Sequence, residues 1–358
     1  MTQEKNNSGS GHVGRFVRAC RRLPVDRTPV WFLRQAGRYT PEYMEVRKHH
    51  SLVDICRAPE FAAEVTITAA ERLGVDAAII FADLLLPLTP MGLDFEFIHG
   101  EGPIIHNPVR SLEQIKSLRT DRIEDLSYVA RSIEKVVAHF APRRGTVDEL
   151  GIIGFIGAPF TLASYIIEGK GSRNYVEVKK LMYSDPSGWK LLMDKLVDVL
   201  GGYAEQQIAA GAEVIQIFDS WIGALNRRDY VTYALEPVKS LVKRLKAKGV
   251  PVIYFGVDTA SLLSTVTDTD ADVIGTDWRA PLDWSWDQIG YDRAIQGNLD
   301  PIALFAPEDE LHSRVKDVLD AAAGRNGHIF NLGHGIVPGT PVENVINVAR
   351  WVKELSAR

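Results

Sequence analysis

Five consecutive residues, Arg34-Gln35-Ala36-Gly37-Arg38, carry the strongest chemical signal in the sequence. They follow the apolar run 29–33, so we expect them where a buried strand ends and a loop begins. Two guanidiniums so spaced can grip a carboxylate, because each presents a planar fork of donors and Gly37 lets the backbone turn. Arg47 follows closely and can join them. The pattern indicates a site for an anion rich in carboxylates, although pairing with acidic neighbours is the plainer alternative.

Two other side chains that can take part in binding or catalysis also follow apolar runs. Asp83 comes after the run 76–81 and just before Leu84-Leu85-Leu86, so its carboxylate is poorly hydrated and needs donors. It can serve as a structural acceptor, accept N–H groups of a ligand, or face a developing cation. His334 lies between Gly333 and Gly335, which leaves room for a ligand. Because a histidine changes charge near neutral pH, His334 can bind a carboxylate or relay a proton.

Tyr165 and Ser220 are weaker candidates by residue type. Tyr165 lies roughly one helical turn after the Gly157-Ala158-Pro159 loop, and a lone tyrosine more often packs than acts. Ser220 follows Phe218-Asp219 without the Gly-x-Ser-x-Gly elbow of a serine hydrolase, so we reject a nucleophilic role. A hydroxyl that hydrogen-bonds a ligand carboxylate is the better use of Ser220.

Composition narrows the class of protein. The chain has 358 residues, of which 46% are hydrophobic and 24% charged, as in an ordinary soluble enzyme. A net charge of −5 argues against a nucleic-acid surface and makes any anion site a local basic pocket. Cys20 and Cys56 lack paired spacing, which disfavours a disulfide framework and favours a reducing, cytoplasmic compartment. Phosphate-loop, dinucleotide and His-Glu-x-x-His motifs are missing from the sequence, so we expect chemistry without nucleotide, flavin or metal.

Apolar runs alternate with helical patterns along the whole chain. Most runs lack polar alternation, which is typical of parallel strands buried on both faces. Eight such strand–helix units predict an α/β protein with a (β/α)₈ TIM barrel, and a doubly wound open sheet is the competing architecture. The predicted strands are 29–33, 76–81, 151–156, 213–218, 251–256, 272–276, 294–297 and 328–332; the predicted helical segments are 59–73, 123–139, 185–210, 229–248, 308–323 and 342–355.

The barrel is expected to span residues 13–358 as a single catalytic domain. Residues 1–12 are polar and rich in glycine and serine, which predicts a disordered leader. The basic run from Arg15 to Arg22 predicts an amphipathic helix packed on the body, because Glu4 and the lack of an apolar core weaken a targeting role. No apolar stretch approaches the ~20 residues that cross a membrane, so no membrane partner is expected.

Several of these motifs together resemble the uroporphyrinogen decarboxylase family of haem and chlorophyll biosynthesis. The similarity extends from about Arg15 to Lys353 and includes the segments Arg34-Gln35-Ala36-Gly37-Arg38-Tyr39, Gly157-Ala158-Pro159-Phe160-Thr161-Leu162, Phe218-Asp219-Ser220 and Asn331-Leu332-Gly333-His334-Gly335. The resemblance implies a (β/α)₈ barrel and a homodimer. It also implies a cofactor-free decarboxylation of the four acetate side chains of uroporphyrinogen III to give coproporphyrinogen III.

The resemblance also assigns residues. It matches Arg34, Arg38 and Arg47 to the family's carboxylate-binding arginines, and Asp83 to its central aspartate. The other cleft residues of the family match Tyr165, Ser220 and His334, and the first motif adds Gln35, Ala36 and Gly37. Trp221 stands where a smaller residue or a histidine is expected.

Residue chemistry and the resemblance agree on a mechanism. A pyrrole can act as its own electron sink after protonation at a ring carbon, and an ionised Asp83 would stabilise the resulting cation. The proton source stays open among Arg34, Tyr165, His334, water and protonated Asp83. Two other functions also stay open. One is a zinc- or corrinoid-dependent methyltransferase of the same barrel superfamily, although the chain has no cysteine beyond Cys56 to bind zinc. The other is a non-catalytic tetrapyrrole carrier.

Overall fold

A parallel β-sheet of seven strands forms the centre of the fold, in the order β1-β4-β5-β6-β7-β8-β9. The computed structural model describes residues 13–98 and 102–358; the predicted leader, residues 1–12, lies outside the described residues. The strands are β1 (Ala77–Ile79), β2 (Phe95–Ile98), β3 (Gly102–Ile105), β4 (Gly151–Gly157), β5 (Val214–Asp219), β6 (Val252–Gly256), β7 (Val273–Gly275), β8 (Ala294–Leu299) and β9 (His328–Leu332).

Helices follow or precede each strand of this sheet. The α-helices are α1 (Arg15–Cys20), α2 (Pro41–His49), α3 (Leu52–Arg57), α4 (Pro59–Leu73), α5 (Leu112–Ser117), α6 (Ser127–Phe140), α7 (Pro159–Glu168), α8 (Val176–Ser184), α9 (Pro186–Ala209), α10 (Arg227–Asp229), α11 (Leu235–Lys246), α12 (Leu263–Val266), α13 (Leu282–Ile289), α14 (Glu308–Ala322) and α15 (Val342–Leu355). No helix among the described residues has the length and apolarity that crossing a membrane demands.

Most of the predicted elements are confirmed. Seven of the eight predicted strands coincide with strands of the sheet, and every predicted helical segment contains a helix. The segment 123–139 begins as a 3₁₀ turn before α6, and the segment 229–248 includes a π-helical turn before α11. The predicted amphipathic helix after Arg15 is α1, which buries Phe16 and Val17. The antiparallel hairpin of β2 and β3 was missed, although Asp94-Phe95-Glu96-Phe97 alternates as a half-buried strand does.

The predicted strand 29–33 is the exception, because only Val30 forms a bridge, with Phe330 of β9. The segment has a few backbone hydrogen bonds to Phe330 and Asp76, and side-chain acceptors supplement them. The N–H of Val30 donates to the Asp76 carboxylate at 2.9 Å, and that of Leu33 to Asn331 Oδ1 at 2.9 Å. Pro29 has no N–H to offer. The regular sheet therefore has seven strands, and the prediction of a regular strand at 29–33 is wrong.

The strands of the sheet are buried as expected for a sheet covered on both faces. Every residue of β4, β6, β7, β8 and β9 is buried. The covering helices are amphipathic; α11, for example, buries Val238, Leu241, Val242 and Leu245, whose spacing places them along one face of the helix. One large cluster of buried side chains joins sheet and helices. The core therefore leaves the ends of the strands as the places where polar side chains can gather.

A cluster of charged side chains lies at the amino end of β1 and fixes the segment that precedes Val30. Asp76 lies just before β1, and its side chain is only 5% exposed. Its carboxylate accepts from Arg15 at 3.1 Å and from both terminal nitrogens of Arg27 at 2.7 Å. Together with the Val30 N–H, these donors satisfy a carboxylate that would otherwise be costly to bury.

We expect Asp76→Ala to destabilise the fold by on the order of 3 kcal/mol, because it leaves two guanidiniums without their buried partner. Urea denaturation followed by circular dichroism measures the loss. Asp320→Ala is the matched control, since Asp320 pairs with Lys316 on the surface and such pairs contribute little. A loss no larger than that of the control would show that the Asp76 cluster does not stabilise the fold.

Candidate active site

The sequence candidates gather at the carboxyl ends of the parallel strands. Asp83 follows β1, Tyr165 lies in α7 after β4, Ser220 directly follows β5, and His334 comes two residues after β9. Arg34 follows Leu33, whose N–H is bonded to the side chain of Asn331 in β9. Because the carboxyl ends of parallel strands share one edge, these residues lie on the same face of the fold.

Arg34 has a constrained backbone and a fixed path for its side chain. Its φ is +61°, a left-handed conformation that is uncommon for a residue other than glycine and that often marks a functional site. The side chain crosses Gly335, where an added Cβ would overlap Arg34 Cδ. The second glycine of Gly333-His334-Gly335 is thus needed to make room for the arginine.

Asp83 is a half-buried carboxylate with few donors. Its Oδ1 accepts the N–H of Leu85 at 2.9 Å. Burial raises the pKa of Asp83 to about 6, and the Leu85 N–H and the Arg34 guanidinium oppose that rise. The carboxylate is therefore ionised at neutral pH but weakly held, which suits an acceptor for a ligand.

Tyr165 packs against Trp221, with their ring centroids 5.8 Å apart. Burial raises the pKa of Tyr165 to about 12; a hydrogen bond with the Trp221 side chain lowers it, the charge of Asp83 raises it, and Arg34 lowers it. Trp221 also lies 6.0 Å from the ring of Tyr175. The unexpected indole at Trp221 therefore packs between two tyrosines, and the Tyr165 phenol is a neutral hydroxyl close to Asp83 and Arg34.

His334 forms an edge-to-face contact with Trp278, with centroids 6.2 Å apart. Burial lowers the pKa of His334, and the positive charge of Arg34 lowers it further. The imidazole is therefore neutral at neutral pH. Gly333 is equally constrained, because a Cβ there would overlap the backbone N of Trp278.

Arg38 and Arg47 approach the site from the segment that contains α2. Both act on Tyr43, which is buried 5.3 Å from the ring of Phe81. Burial raises the pKa of Tyr43, Arg47 and Arg38 lower it, and Asp83 raises it. Tyr43 thus lies within the electrostatic reach of both arginines and of Asp83. Arg38 is exposed, whereas Arg47 is half-buried and donates to the His50 carbonyl at 2.8 Å.

In the middle of the first motif, the side chain of Gln35 faces the protein interior, whereas Ala36 and Gly37 are half-buried. The Gln35 side chain is buried, donates to the Ala77 carbonyl at 3.1 Å and accepts the N–H of Phe32 at 3.2 Å. Ala36 packs on the small cluster around Tyr43, and a Cβ at Gly37 would lie 3.0 Å from the Arg34 carbonyl. These residues shape the loop that carries the two arginines.

Sequence reasoning assigned no role to Asp219, the last residue of β5. Its carboxylate is fully buried and accepts the hydroxyls of Thr161 and Tyr254, each at 2.7 Å. Burial raises the pKa of Asp219 to about 6 against these hydrogen bonds. An acidic residue just before Ser220, at the end of a mostly apolar strand, was the signal available in the sequence.

An aromatic layer of Phe155, Phe218 and Phe255 lies near the same strand ends. Phe218 is the central ring, 5.5 Å from Phe155 and 6.0 Å from Phe255, in edge-to-face contacts. Consecutive strands β4, β5 and β6 each contribute one ring. Phe155 and Phe255 are buried and Phe218 is half-buried, so aromatic rings fill the interior at the carboxyl ends of these three strands.

Neither cysteine belongs to this site. Cys20 and Cys56 are free and buried, and burial raises the pKa of both thiols. Within residues 13–98 and 102–358, no group of three or more His, Cys, Asp or Glu side chains is arranged to hold a metal ion.

Fold and site together define a parallel α/β protein with polar and charged side chains gathered at the carboxyl ends of its strands. A family model described as Uroporphyrinogen decarboxylase (URO-D) matches residues 12–355. A uroporphyrinogen decarboxylase of Koribacter versatilis is 59% identical over 344 residues, 96% of each chain. One from Solibacter usitatus is 51% identical over 342 residues, 96% of this chain and 97% of the relative. The chain belongs to the uroporphyrinogen decarboxylase family.

Solved structures share the fold at low sequence identity. A methyltransferase from Methanosarcina mazei matches with a TM-score of 0.77 and 19% identity, over 95% of this chain and 97% of that chain. A B12-independent methionine synthase from Shewanella sp. W3-18-1 matches with a TM-score of 0.56 and 11% identity, over 83% of this chain and 87% of that chain. These likenesses show a common fold and carry no argument about chemistry.

The proximity of Arg34 and His334 can be tested by titration. We expect Arg34→Gln to raise the pKa of His334 towards its ordinary value of about 6.5, because it removes a neighbouring positive charge. NMR of the imidazole ring across pH measures the change. Arg38→Gln is the control from the same loop, and we expect it to leave His334 unaffected. An unchanged His334 in the Arg34 variant would contradict the geometry described for the two residues.

Proposed function

We propose that this protein removes the four acetate carboxyl groups of uroporphyrinogen III as CO₂, giving coproporphyrinogen III without a cofactor. The observation that supports this proposal most directly is the state of Asp83, a half-buried carboxylate with a raised pKa that interacts electrostatically with Arg34. The charges of Arg38 and Arg47 act on Tyr43, as does that of Asp83. Membership of the uroporphyrinogen decarboxylase family over residues 12–355 supports the assignment.

The proposed substrate matches the site group by group. A uroporphyrinogen carries eight carboxylates around an apolar ring system with four pyrrole N–H groups. Arg34, Arg38 and Arg47 bind rim carboxylates, and Ser220 hydrogen-bonds another. Asp83 accepts pyrrole N–H groups, and the aromatic layer around Phe218 adjoins the apolar macrocycle.

The reaction needs an electron sink, which the pyrrole itself supplies. Protonation of a ring carbon makes the pyrrole a cation. The bond between the acetate methylene and its carboxyl carbon then breaks, CO₂ leaves, and the electron pair neutralises the ring as an exocyclic double bond. Proton addition at the methylene carbon and proton loss from the ring carbon give the methyl product, so each acetate consumes one proton. Ionised Asp83 stabilises the cationic intermediate, a preorganised electrostatic effect often of several kcal/mol.

The neighbours of Asp83 divide the remaining tasks. Tyr165 and His334 are both neutral near pH 7, so they orient the substrate through hydrogen bonds rather than by charge. Arg34 holds the reacting acetate and positions the proton source. Gln35, Ala36 and Gly37 support the loop from which Arg34 and Arg38 reach the substrate.

We further propose a closed (β/α)₈ barrel, in which segment 29–33 fills the eighth position. The backbone N–H of Phe330 donates to the Pro29 carbonyl at 2.9 Å, and the backbone N–H of Asp76 donates to the Val30 carbonyl at 2.8 Å. The segment therefore forms hydrogen bonds with both edges of the sheet. The working unit is proposed to be a cytoplasmic homodimer without a nucleic-acid partner; free, buried cysteines are compatible with a reducing compartment.

Anaerobic incubation with uroporphyrinogen III tests the activity directly. Chromatography of the oxidised products should show porphyrins with seven, six, five and finally four carboxylates, and CO₂ should be released in step. A protein that binds the porphyrinogen and leaves all eight carboxylates intact would instead be a tetrapyrrole carrier. Stoichiometric zinc with transfer of a methyl group would support the methyltransferase alternative.

We expect Asp83→Asn to keep the fold and lose most turnover, on the order of 100-fold or more in kcat, because the cation loses its counter-charge. The anaerobic assay measures the loss, and circular dichroism checks the fold. Asp300→Asn is the matched control, since Asp300 also follows a strand and accepts the N–H two residues ahead at 2.9 Å. Near-normal kcat in the Asp83 variant would remove this residue from the mechanism.

The raised pKa of Asp83 predicts the acid side of the pH profile. Below about pH 6 the carboxylate is protonated, so kcat should fall about tenfold for each pH unit. Arg34→Gln should shift this limb to higher pH, because Arg34 holds the pKa of Asp83 down. Asp219 also has a pKa of about 6, but Arg34 is not among the groups that shift the pKa of Asp219. If the fall in kcat at acid pH occurs at the same pH in the Arg34 variant, the fall belongs to a group other than Asp83.

A further inference from the structure

A buried hydrogen-bond network joins the start of α7 to the end of β5. The Thr161 hydroxyl donates to Asp219 Oδ1 at 2.7 Å and accepts the backbone N–H of Trp221 at 3.2 Å. The other carboxylate oxygen of Asp219 accepts the Tyr254 hydroxyl at 2.7 Å. Thr161, Asp219 and Tyr254 are all essentially inaccessible to solvent. A carboxylate held at both oxygens in this way has little freedom to move.

The network reaches the cleft through Trp221. Its backbone N–H is held by Thr161, while its indole ring packs 5.8 Å from Tyr165 and 6.0 Å from Tyr175. Thr161 and Tyr165 are four residues apart on α7, so they lie on the same face of the helix. Tyr165 is therefore connected to Asp219 in two ways. One connection runs along α7 to Thr161, and the other runs through the Trp221 ring and the hydrogen bond between the Trp221 N–H and Thr161.

We infer that Thr161 and Asp219 are positioning residues: they hold Trp221, and Trp221 holds the Tyr165 phenol in place in the cleft beside Asp83. As a statement about decarboxylation this rests on the proposed function, whereas the positioning of the phenol does not. Loss of the Thr161 hydroxyl leaves the Trp221 N–H without its acceptor and removes one of the donors to Asp219, so the Trp221 backbone shifts and the indole moves with it. A small displacement of a substrate-facing hydroxyl is enough to slow a reaction that depends on orientation.

A double-mutant cycle separates positioning from simple stabilisation. We expect Thr161→Val to lower kcat/KM for uroporphyrinogen about tenfold in the wild-type background and less than about twofold in the Tyr165→Phe background. Thr161→Ser, which keeps the hydroxyl, should restore most of the activity. Equal losses in both backgrounds would overturn the inference, because they would mean that Thr161 does not act through Tyr165.

Thr269→Val is the matched control for the cycle. Thr269 is fully buried, and its hydroxyl also joins backbone groups, donating to Val266 and accepting from Ala271. It lies just before β7, away from the carboxyl ends of the strands. We expect its replacement to lower the Tm without changing kcat/KM; a loss equal to that of Thr161→Val would indicate a general effect of losing a buried hydroxyl.

A measurement without substrate keeps the inference testable if the proposed function fails. In protein labelled with 3-fluorotyrosine, the ¹⁹F resonance of Tyr165 is assigned by its disappearance in Tyr165→Phe. We expect Thr161→Val and Asp219→Asn to shift or broaden this resonance, and Thr161→Ser and Thr269→Val to leave it in place. An unmoved Tyr165 resonance would overturn the positioning role, whereas absence of CO₂ release from the wild-type protein would overturn the proposed function alone.

Discussion

The position of the Arg34 guanidinium depends on how the chain before it is held. Segment 29–33 gains few regular strand hydrogen bonds, and instead its N–H groups donate to the side chains of Asp76 and Asn331. Asp76 is in turn neutralised by Arg15 and Arg27. Because these acceptors are buried and specific, the segment has one register, and Arg34 leaves it with a left-handed backbone directed over Gly335. From there its charge acts on Asp83, Tyr165 and His334 alike.

Three buried or half-buried carboxylates show how differently one fold can hold the same group. Asp76 is paired with two guanidiniums and a backbone N–H. Asp219 accepts two hydroxyls, which satisfy it without a counter-charge. Asp83 accepts the Leu85 N–H and interacts electrostatically with Arg34. The weakly satisfied carboxylate is the one at the cleft, where a ligand can complete its hydrogen bonds.

The scaffold itself does not specify the chemistry. Solved structures that share the fold have low sequence identity to this chain, whereas relatives within the uroporphyrinogen decarboxylase family are far more similar in sequence. What distinguishes chains on a common barrel-like scaffold is the set of side chains at the strand ends. In this chain the set is cationic at the rim, anionic at Asp83 and aromatic beside it. Such a combination suits a flat, apolar ligand with many carboxylates.

The sequence by itself determined the seven strands of the parallel sheet and the long helices between them, because buried parallel strands appear as continuous apolar runs and their helices as amphipathic patterns. It also located Arg34, Asp83 and His334, since residues that follow such runs lie at one edge of the sheet. The tertiary structure decided the irregular form of segment 29–33, whose acceptor Asn331 is 298 residues away from Leu33 along the chain. It also decided the roles of Trp221 and Asp219, whose partners come from α7 and β6. Local patterns cannot specify these contacts, because a buried polar group is satisfied by whichever donor or acceptor the fold brings to it.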